Sequence, residues 1–135
     1  MRSLPVLGTF VVLSLGVLQA QQVKPEWKPV IGTWQGTSTC AEPSSPCTDE
    51  QALYRVKPDK NDAEKLVLEA FKMVNNRPEH IGNLSCKYAA DEKVLTCYGT
   101  KRDVWSFNVT DSTMDGTLTV GKEKTLYRKI SLTKK

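Results

Sequence analysis

The chain has 135 residues, 19 Lys and Arg against 15 Asp and Glu, a single His and a formal net charge of +4. Its basic residues are scattered, with short clusters only at 101–102, 122–124 and 134–135, so no continuous cationic stripe is available and nucleic acid is not expected as a partner. There is no Gly-rich phosphate loop and no C-x-x-C spacing. Both phosphoryl chemistry and a zinc site therefore lack their usual frame, and no metal or cofactor is expected.

Residues 1–20 read as a secretory signal: Arg2 gives a positive start, 6–18 an apolar run and Ala20 a small residue at the cleavage point. The run is too short to cross a bilayer comfortably and no Cys follows it to take a lipid, so no membrane span is expected after its removal. Three segments follow: 1–20 as signal, 21–30 as an irregular N-terminal segment, and 31–135 as a single barrel domain. The expected location is secreted or periplasmic.

Residues 21–30 hold two prolines around Trp27, which suits an irregular entry segment lying against the body. Residues 31–40 read as the opening strand, with Trp34 and Ser38 on one face and Thr33, Gln35 and Thr37 on the other. Gly32 and Gly36 flank Trp34 and leave room for a large ring to lie flat across the floor of a small barrel. A Pro- and Ser-rich turn follows at 41–46, a second strand at 48–56 and a charged loop at 57–65.

Residues 66–74 support two readings. As a helix, Asn61 and Glu64 form a capping box and Leu66, Ala70, Met73 and Val74 share a stripe. As a strand, Val67, Phe71 and Met73 point one way and Leu68, Ala70 and Lys72 the other. The strand is preferred, because a turn at 75–78 and regularly spaced short strands follow. Those are 81–89, 93–99, 104–109, 114–120 and 125–133, so the chain predicts an all-β fold of about eight antiparallel strands. Closing an up-and-down barrel hides the sheet edges and buries one face.

Four cysteines lie beyond the signal, an even count that in an exported chain reads as two disulfides. Cys40 with Cys47 and Cys86 with Cys97 each bracket a turn, which predicts those pairings. Each closure contributes about 2–3 kcal/mol.

An opening strand with Gly32, Thr33 and Trp34, an antiparallel meander and a last strand bearing Arg128 resembles the calycin superfamily, which includes lipocalins, fatty-acid-binding proteins, avidins and some small protease inhibitors. The resemblance implies that Arg128 lies over Trp34 and closes one end of the barrel.

His80 sits in a turn beside Pro78 and Glu79 with no partner for base catalysis, and disulfides consume every thiol. A non-catalytic protein is expected. Tyr54, Phe71, Tyr88, Trp105, Phe107, Met114 and Leu118 are candidates for the barrel interior. Of these, Phe71, Tyr88, Trp105, Phe107, Met114 and Leu118 are the candidate ligand-binding residues. An open pocket and an interior filled by its own side chains are equally compatible with so small a barrel. The expected function is a monomeric carrier of a small apolar or amphipathic ligand. The alternative is a protein-interaction module, such as a protease inhibitor or an envelope structural protein, with a filled core.

Overall fold

The computed structural model describes residues 3–5, 8–13, 16 and 23–135. The proposed cleavage point at Ala20, parts of the apolar run before it and residues 21–22 lie outside the described residues. Eight strands form a closed antiparallel barrel in which each pairs with its sequence neighbours and the last returns to the first. They are β1 (Gly32–Cys40), β2 (Glu50–Pro58), β3 (Leu66–Val74), β4 (Arg77–Ala89), β5 (Val94–Tyr98), β6 (Val104–Val109), β7 (Thr113–Val120) and β8 (Thr125–Lys134).

Alternation sets the inner face. Tyr54 and Val56, Leu66 and Leu68, Leu95 and Cys97, Phe107 and Val109, and Ile130 and Leu132 are buried two apart along their strands, as a pleated backbone requires. Residues 66–74 follow the same pattern and are a strand. The helix cap is not formed, because the preceding loop folds into local side-chain turns: the Asn61 N–H donates to Asp59 Oδ1 and the Glu64 N–H to Asp62 Oδ1.

The turn after β3 is tighter than its composition suggests. Asn75 and Asn76 take φ of 51° and 63°, a left-handed pair that Asn tolerates and that closes a two-residue hairpin, so β4 begins at Arg77 and includes Pro78. Only Ser85–Ala89 of β4 pair with β5, leaving its first eight residues without a partner on that side. A register shift between Ala70 and Phe71 inserts Ile81 as an extra residue opposite β3. Proline and a bulge are the usual devices that blunt such an edge.

Two glycines on the inner face let neighbouring strands approach. A Cβ on Gly36 would overlap the Ser131 carbonyl oxygen, and one on Gly116 the Ser106 carbonyl oxygen. Both expected disulfides are formed. Cys86 and Cys97 are directly opposed across β4 and β5, whereas Cys40–Cys47 ties the end of β1 to the loop that follows. Two such bonds fit an oxidising compartment.

Trp34 is wholly buried at the end where β1 begins. Its Nε1 donates to the Val30 carbonyl at 3.0 Å, and Trp27, in a 3-10 turn at Pro25–Trp27, is buried beneath the same end. The expected contact between Trp34 and Arg128 is not present. Trp34 is in register with Lys134, and Arg128 with Cys40, which separates them by six residues of β1, roughly 20 Å. Lys134 takes the place over the ring, with Nζ 5.4 Å from its centroid and a hydrogen bond to the Pro29 carbonyl.

Candidate functional site

The interior is filled from the Trp34 end by Leu66, Leu68, Leu95, Phe107, Met114 and Leu132, each essentially inaccessible. Above them, at the opposite mouth, a cavity of about 190 Å³ is lined by Ser38, Glu50, Tyr54, Ala70, Ile81, Gly82, Leu84, Trp105, Leu118 and Arg128. Its walls are of two kinds. Trp105, Leu118, Leu84 and Ile81 are apolar, and Ser38, Glu50, Tyr54 and Arg128 bring polar groups together.

Register explains that convergence. Leu118 is opposite both Trp105 and Arg128, and Ser38 is opposite Glu50. The bulge in β4 brings Ile81 to the rim. A second register shift, between Leu118 and Thr119, inserts Tyr127 in β8 and precedes the inward-facing series Arg128, Ile130 and Leu132.

Arg128 Nη1 donates to the Thr48 carbonyl at 3.0 Å and to the Ser38 carbonyl and hydroxyl oxygens at 3.3 Å each. Its Nη2 reaches Glu50 Oε1 at 3.4 Å. The Arg128 and Glu50 side chains are 13% and 20% exposed, so the pair is largely removed from water and its bonding must be met within the mouth.

Tyr54 stands beside them, its ring 6.4 Å from that of Phe107 in an edge-on arrangement. Burial first, and the charge of Glu50 second, push its phenol up to about 12, against smaller opposing effects of the Ser38 hydroxyl and Arg128. Because the unfolded phenol ionises near 10 and the folded one near 12, Tyr54 contributes its full share of stability below pH 10 and loses it as pH rises to 12. The expected loss over that window is about 2–3 kcal/mol. Urea unfolding at pH 9 and pH 11.5 measures it, and Tyr54→Phe should flatten this alkaline slope.

The candidates read from sequence separate into four places. Trp105 and Leu118 line the mouth. Phe107 and Met114 lie in the filled core, where no ligand reaches them without repacking. Tyr88 is half-buried at the far end, in an external cleft of about 370 Å³ beneath the N-terminal segment. Phe71 faces outward, against expectation: it packs on His80 at 5.2 Å with Arg55 5.0 Å above its ring. The cause is that Leu66, Leu68 and Ala70 occupy the inner face of β3, and Phe71 is opposite Leu53 on the outer wall.

The larger cleft is the weaker candidate. Glu26, Lys93 and Asp111 on its rim are solvent-exposed and converge on nothing, while the smaller mouth holds a desolvated ion pair beside aromatic and aliphatic walls. Sequence reasoning missed Glu50 and Ser38. Glu50 shares its parity with Ala52, Tyr54 and Val56, so an acidic residue in an inward-facing series was the available signal. Among the described residues no cluster of three or more His, Cys, Asp or Glu is arranged to hold a metal ion. No protein-family model matches the chain, and no curated protein matches it.

Proposed function

We propose that this is an exported, non-catalytic, calycin-like barrel that holds one small amphipathic molecule in its mouth, with the polar part on the Arg128 and Glu50 side and the apolar part against Trp105 and Leu118. The observation that carries the reading is the placement of a largely desolvated ion pair on the polar wall of a cavity that enters the barrel mouth. A buried pair costs desolvation energy that apolar packing would avoid. Its presence beside an unfilled volume favours recognition over stability.

The size of the cavity sets the size of the ligand. At 190 Å³ it lies below the usual range for drug-sized ligands and holds roughly six waters at about 30 Å³ each. A molecule of about eight heavy atoms, at about 0.5–0.6 kcal/mol per atom, would bind with a Kd of roughly 0.3–1 mM. That is a weak carrier or sensor rather than a high-affinity store.

The interaction-module reading draws on a different observation. Val74, Ile81 and Leu126 are 39%, 49% and 36% exposed, so a partner could rest an apolar residue at the mouth. The β4 edge adds little to this reading, since Pro78 and the bulge at Ile81 interrupt the ladder that an added strand needs.

The chain has three Trp residues, which makes the test direct. In a titration with a panel of small amphipathic compounds followed by NMR, the Trp105 indole N–H resonance should move saturably while those of Trp34 and Trp27 stay still. If only the Trp27 signal responds, the external cleft is the binding site. Should no compound move Trp105, the mouth is not a small-molecule site.

A further inference from the structure

We propose that the mouth selects a compact zwitterion with an apolar side chain, the chemistry of an aliphatic α-amino acid, over molecules of a single charge. The inference rests on the small-ligand reading above and names the ligand class for that site.

The argument starts from unspent bonding capacity. A guanidinium offers five N–H donors and a carboxylate about four acceptor positions. Arg128 directs Nη1 at three protein oxygens, but Nη2 makes one contact only, at 3.4 Å to Glu50. That distance is well beyond the 2.7–2.9 Å expected of a charge-assisted bond. Arg128 is the only hydrogen-bond or ion-pair partner of the Glu50 side chain among the described residues. Both charges are therefore held in place with capacity to spare, and the spare capacity is of both signs.

A ligand must meet that pair without adding net charge to a partly desolvated pocket. An organic anion competes with Glu50 for Arg128 and is repelled by it, and an organic cation meets the mirror-image difficulty at Arg128. A molecule whose ammonium and carboxylate are separated by one carbon presents both signs across a short span. It brings no net charge and supplies a partner to each wall. Its side chain then falls among Trp105, Leu118, Leu84 and Ile81, which line the same cavity, and the limited volume confines it to a short aliphatic chain.

Leucine, 4-methylpentanoate, 3-methylbutylamine and 4-methylpentanamide share one apolar chain and differ in headgroup, so titrating each at pH 7 and following the Trp105 indole resonance isolates the headgroup. Leucine is expected to bind at least fivefold more tightly than each of the other three. Any of them binding within fivefold of leucine overturns the zwitterion, and the neutral amide doing so identifies a plain hydrogen-bonding site. If the analogues bind and leucine has no advantage, this inference fails while the mouth reading stands; if none of the four moves Trp105, the inference fails and the wider panel decides the mouth.

Glu50→Gln gives a second readout. It should weaken leucine at least tenfold and raise 4-methylpentanoate to equal or exceed it, with an unchanged Trp34 resonance reporting a folded barrel. Leucine affinity left intact in a folded Glu50→Gln protein overturns the role given to Glu50. If that variant does not fold, the four-compound series on the unaltered protein decides the matter alone.

Discussion

Trp34→Ala should destabilise the barrel by about 3–5 kcal/mol, the cost of truncating a fully buried aromatic and leaving a cavity. The ring is inaccessible, its Nε1 donates to the Val30 carbonyl at 3.0 Å, and Lys134 lies over it. Removing it takes away apolar contact, leaves a buried carbonyl without its donor and uncouples the segment before β1 from the barrel floor. Against a total stability of about 5–15 kcal/mol such a loss is large. Trp34→Phe separates the contributions: it keeps most of the apolar contact and should cost about 1–3 kcal/mol for the carbonyl left unsatisfied. Urea unfolding of the two variants measures both. A Trp34→Ala effect within about 0.5 kcal/mol of zero, as at an ordinary surface site, would show that this end is held together by something else.

The alternation of apolar residues made the eight strands legible, because a pleated strand reports its buried face two residues at a time, and the turns that each cysteine pair brackets made both disulfides legible. Registers were less accessible. The last strand carries cations at 128, 129 and 134, and nothing in its own pattern says which of them meets Trp34; the pairing of Trp34 with Lys134 is a property of β1 and β8 together. Phe71 failed for a related reason. Strand β3 is apolar on both faces, with Val67, Phe71 and Met73 on one and Leu66, Leu68 and Ala70 on the other, so only the neighbouring strands decide which face is inside.

The mouth was hidden by its irregularities. Ile81 reaches the rim through a bulge, and the second shift in β8 lies immediately before Arg128. Strict period-two reading steps over both. The ion pair that marks the site belongs to two strands far apart in sequence, Glu50 at the start of β2 and Arg128 in β8, and becomes visible only when the barrel closes.

Leu118→Trp should abolish ligand binding while the barrel stays folded. Leu118 is 6% exposed at the wall of a cavity of about 190 Å³, and a larger ring has open volume to enter instead of packed neighbours, so overpacking at the low end of the usual 1–3 kcal/mol is expected. The ring would occupy the space opposite Arg128 and beside Trp105 that a ligand needs. An NMR titration of the unaltered protein and of Leu118→Trp with the small amphipathic panel, at up to about 10 mM because the affinity expected of so small a cavity is weak, tests the mouth as a small-molecule site most directly. Saturable movement of the Ser38 and Trp105 backbone amide resonances in the unaltered protein, absent from the variant, is the expected result. No saturable movement in either protein, or equal movement in both, would contradict it.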